Sequence, residues 1–280
     1  MTDATTHDPV SHLSPTMLEG HVAFITGGGS GINLGIARAF ARCGASIAIC
    51  GRTEERLATA AEELRGLGAT VAYKAADVRD AEALQASVDH AVEELGDISI
   101  AVAGAAGNFF AKAEEMSSNA FRTVVDIDLM GAYHTARAVF PSLQRTRGSI
   151  LFISASQAFK ATKYQAHVGA AKAGIEMLMK DLAVEWGEHG IRSNSLVPGP
   201  VAGTEGMARL AGPTGDEMWK RAVPLGRYAE TDEIGAMAAV LSGPLSAYVT
   251  GSQYIVDGGL SLVGSGHISD AVEKALFSGE

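Results

Sequence analysis

The stretch Thr26-Gly27-Gly28-Gly29-Ser30-Gly31-Ile32-Asn33 decides the reading of this chain. An apolar run at residues 21–26 precedes it. Ile32, Ile36, Ala39 and Phe40 follow at helical spacing up to Cys43. A strand that ends in glycines and opens a helix lets the backbone turn tightly and approach a diphosphate, whose charge the helix N-terminus then holds. A glycine run alone marks only a tight turn; its flanks and the units downstream give it the stronger meaning.

Outward from this turn, short apolar runs alternate with helical periodicity to the end of the chain. Strands are expected at residues 45–50, 70–75, 98–103, 149–153, 192–197 and 253–256. Helices are expected at 53–67, with Thr53 as cap, at 80–95, ended by Gly96, and at 118–145, 165–189 and 230–241. Runs such as Val22-Ala23-Phe24-Ile25 suit strands buried on both faces, and strand–helix alternation means a parallel sheet covered on both sides. The expectation is one α/β domain over residues 18–263, a Rossmann-type doubly wound parallel sheet of about seven strands. A loose leader at 1–17 and a tail at 264–280 flank it.

Composition narrows the function classes. The 280 residues are 47% hydrophobic and 19% charged, which excludes a disordered chain. The charge sum, 22 − 32 = −10, argues against broad nucleic-acid binding. Cys43 and Cys50 form no CxxC pair, so neither a metal site nor a disulfide framework is expected. No apolar run is long enough to span a membrane. The polar N-terminus lacks the pattern of a signal peptide, and Ser278-Gly279-Glu280 is not a peroxisomal address, so a cytoplasmic protein is expected.

The Gly27-x-x-x-Gly31 spacing, Asp77-Val78 after the third strand, Asn194 before Pro198-Gly199, and Val256-Asp257-Gly258-Gly259 together resemble the short-chain dehydrogenase/reductase family over about residues 21–262. The resemblance implies a nicotinamide dinucleotide. Gly27, Gly29, Ser30, Gly31 and Ile32 would hold its diphosphate, and Asp77 and Val78 its adenine. Lys172 would hold the nicotinamide ribose, with Pro198, Gly199, Val201 and Thr204 over the nicotinamide. Asn33 stands where the family's turn has its third glycine. The second strand ends Cys50-Gly51-Arg52, with no acid to bind a ribose 2′-hydroxyl and with Arg52 placed to meet a 2′-phosphate, so NADPH/NADP+ is favoured. The segments Tyr248-Val249-Thr250-Gly251 and 256–259 resemble the family's subunit contacts, which implies a homotetramer.

Most members carry an Asn, Ser, Tyr and Lys tetrad. Here Lys172 is kept, Val168 stands at the tyrosine's place four residues earlier, Ala155 at the serine's, and Asp128 at the asparagine's. Losing a general acid costs roughly 10²–10⁴ in rate, so carbonyl reduction should be poor. Hydride addition to a double bond conjugated with a thioester needs no such acid on the carbonyl oxygen. The proton goes to carbon and can come from water held by Asp128 and Lys172. Ser154 and Ser156 flank Ala155, and strand alternation points both away from its face.

The altered tetrad, with Gly104-Ala105-Ala106-Gly107-Asn108-Phe109, residues 119–128, His167-Val168-Gly169-Ala170-Ala171-Lys172, residues 182–187 and residues 198–206, resembles the peroxisomal-type 2,4-dienoyl-CoA reductases. Their Asp and Lys pair falls on Asp128 and Lys172. Mitochondrial-type relatives use a Tyr where this chain has Gln157. The resemblance implies an acyl-CoA-type substrate met by Arg79, Phe109, Ser118 and Arg209. Residues 201–227, with Met207, Leu210, Met218 and Trp219, read equally as a lid over an apolar substrate and as packing helices. Tyr164 reads as a loop residue without a role; His167 stands even between a role and none. Two alternatives stay open: a carbonyl or alcohol oxidoreductase with a non-standard acid, and a non-catalytic NADP(H)-binding sensor.

Overall fold

The computed structural model describes residues 8–212 and 215–264. Seven parallel strands form one sheet: β1 (Val22–Thr26), β2 (Ser46–Gly51), β3 (Val71–Ala75), β4 (Ile100–Ala103), β5 (Ser149–Ile153), β6 (Arg192–Pro198) and β7 (Gln253–Val256). Their order is β3-β2-β1-β4-β5-β6-β7. The chain winds outward from β1 in one direction, then crosses back to β4 and winds in the other. The crevice above the C-terminal ends of β1 and β4 is therefore where such a sheet receives a ligand.

Strand alternation divides the core into two layers. Ala23, Ile25, Ile47 and Ile49 face α1 (Gly31–Arg42), α2 (Glu54–Gly66) and α9 (Thr231–Ser242), where they meet Ile36, Phe40, Leu57, Leu64 and Ile234. Val22, Phe24, Ala48 and Cys50 face the other way. They meet Leu84 and Val88 of α3 (Ala81–Leu95), Val139 and Leu143 of α5 (Gly131–Thr146), and Ile175 and Met179 of α6 (Ala166–Glu185). Both faces of the sheet are thus covered, as the uninterrupted apolar strands require. Among the described residues no helix is long and apolar enough to cross a membrane.

Three local expectations change. Residues 118–145 do not form one regular helix. α4 (Ser118–Val125) runs into a π-turn at Asp126–Met130 and only then into α5. The Gly131 N–H bonds to Asp126 O, five residues back. Thr53 occupies the cap position of α2, but its side chain makes no capping hydrogen bond.

The stretch read as a loose leader is packed from residue 8 onward. Pro9–His12 is a 3-10 turn, Asp8 accepts from the Val10 and Ser11 N–H groups and pairs with Arg42, and Val10 is buried. A charged cap and one apolar anchor, Val10, tie this segment to α1 within a stretch that is polar and mixed in composition. Residues 1–7 and 265–280, which contain the rest of the leader and nearly all of the tail, lie outside the described residues.

Candidate active site

The loops after β1 to β6 enclose a cavity of about 460 Å³ at the switch point. The glycine turn forms its floor. Gly27 and Gly31 have φ of +72° and +58°, a region where side chains are strained. A Cβ on Gly28 would stand 2.5 Å from Ile49 Cγ2. The first turn of α1 follows at once, and the Ser30 side chain does not cap it. The backbone N–H groups at that helix start therefore face the cleft, the arrangement a diphosphate needs.

Every expected cofactor residue borders this cavity. Gly27, Gly29, Ser30, Gly31 and Ile32 lie on the turn, Arg52 after β2, and Asp77 and Val78 after β3. Lys172 lies on α6, and Pro198, Gly199, Val201 and Thr204 after β6. Among the described residues no group of three His, Cys, Asp or Glu side chains is placed to hold a metal. A dinucleotide fits the residues present: a glycine turn with positive φ at Gly27 and Gly31, a helix start, and an arginine, Arg52, after β2.

Sequence reasoning missed two neighbours of that arginine. Arg56 and Glu205 also border the cavity and bridge it at 2.7 Å, joining α2 to α7 (Glu205–Ala211). Glu205 also lies 3.5 Å from Arg209.

At the far end, Asp128 and Lys172 meet. Asp128 sits on the π-turn and is 1% exposed; Lys172 is 5% exposed. Lys172 Nζ lies 3.2 Å from Asp128 Oδ2 and donates to Ile153 O at 3.0 Å. Gly107 N–H donates to Asp128 Oδ1 at 2.7 Å. A buried carboxylate is tolerated only when paired and hydrogen-bonded, and each of these groups supplies what the other needs. Among the described residues no tyrosine borders the cavity; Val168 and Ala155 do.

His167, one residue before Val168, is fully buried, and its ring packs 4.2 Å from that of Phe109. Neither of its nitrogens makes a well-formed hydrogen bond among the described residues. Burial pushes its pKa below the ordinary histidine value, against an opposing pull from the Asp128 charge and a loose approach of the Phe109 backbone. The shift favours the uncharged ring. Tyr164 is 53% exposed with φ +68°, and only its backbone is engaged, by Ala111 N–H.

The expected substrate residues separate. Arg209 borders the cavity, with Met207, Leu210 and Trp219 of the expected lid; Met218 does not and is exposed. Arg79, Phe109 and Ser118 do not border it. The Arg79 guanidinium grips both oxygens of Asp77, at 2.6 to 3.1 Å, and holds its carboxyl below the usual carboxylate range. Ser118 is an exposed first residue of α4, whose cap is Ser117. Ser154, Ala155 and Ser156 all border the cavity, and the Ser154 hydroxyl is buried. β5 ends at Ile153, Ala155 keeps an extended backbone, and the chain turns into a 3-10 helix at Ser156–Ala158.

A family model described as Enoyl-(Acyl carrier protein) reductase matches residues 27–261. A Saccharomyces cerevisiae protein named peroxisomal 2,4-dienoyl-CoA reductase, (3E)-enoyl-CoA-producing, is 42% identical over 272 residues, covering 94% of this chain and 93% of that one. A Pongo abelii protein of the same name is 41% identical over 267 residues, 94% and 91% of the two chains. Among solved structures, a gluconate 5-dehydrogenase from Burkholderia cenocepacia in complex with NADP and tartrate superposes with a TM-score of 0.83. It is 29% identical and covers 89% of this chain and 98% of its own. The chain belongs to the short-chain dehydrogenase/reductase family of oxidoreductases.

Proposed function

We propose that this protein uses NADPH to reduce a conjugated 2,4-dienoyl-CoA, or a related enoyl thioester, to an enoyl-CoA. The observation that carries the reading is the buried Asp128–Lys172 pair beside a cavity wall from which the family's hydroxyl donors are missing. The names of the relatives point to the same substrate class.

When bound, the nicotinamide supplies a hydride. This chain's residues do the rest. The glycine turn and the start of α1 hold the diphosphate, and Arg52 and Arg56 meet the 2′-phosphate. Of the three N–H groups of Lys172, Ile153 O takes one, and Asp128 Oδ2 stands 3.2 Å away as the counter-charge without a well-formed hydrogen bond. A remaining N–H holds a water, and Asp128 Oδ2 accepts from it. That water gives the proton to carbon. Met207, Leu210 and Trp219 shield the acyl chain. In this reading Arg209, Arg79, Phe109 and Ser118 meet the CoA portion from the rim.

The test follows loss of NADPH absorbance with 2,4-hexadienoyl-CoA beside acetoacetyl-CoA, for the parent protein and Asp128→Ala. Turnover of the dienoyl ester that collapses in the variant supports the reading. Turnover of the ketone alone overturns it, and NADPH binding without turnover of either favours a sensor. The proposed setting, a cytoplasmic homotetramer, is checked by light scattering on the purified protein and by imaging the tagged full chain.

A further inference from the structure

Two carboxamides on the cavity wall are held in one orientation by a third that does not reach the cavity. Asn108 and Gln157 border it; Gln165 does not and is 2% exposed. Gln157 Nε2 donates to Gln165 Oε1 at 2.6 Å, and Gln165 Nε2 donates to Asn108 Oδ1 at 2.8 Å. The donors all run one way, and the Ser156 hydroxyl, 3.5 Å from Gln157 Oε1, keeps the same sense. The chain leaves both amide N–H bonds of Asn108 and one of Gln157 uncommitted.

Asn108 and Gln157 border the same cavity as Ala155 and Val168, the positions where the hydroxyls are missing. Asn108 follows Gly107, whose N–H holds Asp128. Gln157 stands two residues after Ala155. Its backbone carbonyl lies against Gly169, next to Val168, where an added Cβ would be 3.2 Å away.

We propose that Asn108 and Gln157 donate hydrogen bonds to the thioester oxygen of the substrate, with Gln165 as the positioning residue. The assignment rests on the dienoyl thioester reading above. Hydride adds to the far carbon of the conjugated system, and the displaced electron pair moves along it until the thioester C=O π bond opens onto oxygen. The amide N–H groups stabilise that oxygen without releasing a proton. When the C=O bond re-forms, the electron pair on the carbon beside the thioester takes a proton from the water at Asp128 and Lys172. Fixed donors aimed at a developing oxyanion are effective because they need no reorganisation; removing one costs roughly 10²–10³ in kcat.

The experiment binds 2,4-hexadienoyl-CoA to the protein with NADP+, which cannot donate hydride, and records the absorption band of the conjugated thioester. Hydrogen bonds to the carbonyl oxygen shift this band to longer wavelength. The parent protein should show the shift. Asn108→Ala and Gln157→Ala should each reduce it, and the double variant should abolish it, with kcat falling roughly 10²-fold or more and KM changing less. Gln165→Leu should reduce the shift without touching the substrate; if it does not fold, the two wall variants carry the test. A parent protein that turns over the dienoyl ester with an unshifted band, or variants that keep both band and kcat, overturn this assignment alone. A parent protein that does not turn over the dienoyl ester overturns the proposed function and this assignment with it.

Discussion

Asn33 fills the space in front of Gly104. A Cβ on Gly104 would stand 2.1 Å from Asn33 Oδ1, and Asn33 Nδ2 donates to Gly104 O at 2.8 Å. The side chain at the third position of the turn is accommodated because the loop after β4 has none to meet it. Gly104→Ala should therefore destabilise the protein by about 1–3 kcal/mol through overpacking, and Asn33→Gly made in the same chain should recover part of the loss. Thermal unfolding of both single variants and the double variant measures this coupling; strict additivity would show that the two positions are independent.

Asp128→Asn keeps an acceptor for the Gly107 N–H but removes the charge opposite Lys172. NADPH binding, read by fluorescence, should change little, while kcat on a dienoyl thioester falls roughly 10²–10⁴-fold. Asp128→Ala leaves the Lys172 ammonium buried without its counter-charge and should also lose about 3–5 kcal/mol of stability. Unchanged turnover in Asp128→Asn would remove the carboxylate from the mechanism.

Arg52 is exposed just after β2 and borders the cavity, where the proposed reading puts the 2′-phosphate. Arg52→Ala should weaken NADPH binding roughly 10–100-fold, the worth of one hydrogen-bonded charge, and leave NADH binding nearly unchanged. Titration of both nucleotides gives the ratio. If the ratio of the two affinities stays that of the parent, Arg52 does not read the phosphate.

The Arg42 guanidinium beside Asp8 holds its carboxyl below the usual carboxylate range. A depressed folded-state pKa means stability that is fully present above the unfolded value, near ~4, and lost as pH falls through the folded one. Asp8→Asn should lower the melting temperature at neutral pH, and the difference from the parent should close below about pH 4. Asp8 is 43% exposed, so the combined cap and ion pair are worth about 1 kcal/mol after screening. A difference that persists undiminished in acid would show that the charge plays no part.

The sheet and the loss of the tyrosine were legible because each rests on spacing within one segment; the Asp128–Lys172 pair, on two separate elements, was reached only through the resemblance to the family. Apolar runs, helical period and the distance from Lys172 back to Val168 survive in a linear string. The bridge from Gln165 to Asn108 spans 57 positions and joins residues with no local pattern, so nothing in the string marks it. The Arg56–Glu205 contact is of the same kind. Arg79 was legible as a cation near the site, but its pairing with Asp77 was not, because two neighbouring charges on a loop can as easily turn to solvent.

The π-turn at Asp126–Met130 lets a helical path carry one residue more than a regular helix has room for, which sets its two ends about 100° out of step. Val124 before it packs with Val168 and Ala171, while Ala132 and Ala136 after it belong to the layer under the sheet. Removing any one residue from the turn would give a straighter, better-bonded helix and at the same time rotate one of these faces out of its seat, taking Asp128 with it. In a surface loop such a deletion is absorbed; here the chain length itself sets the register, and a shortened variant should fold its helix more readily while moving Asp128 away from Lys172.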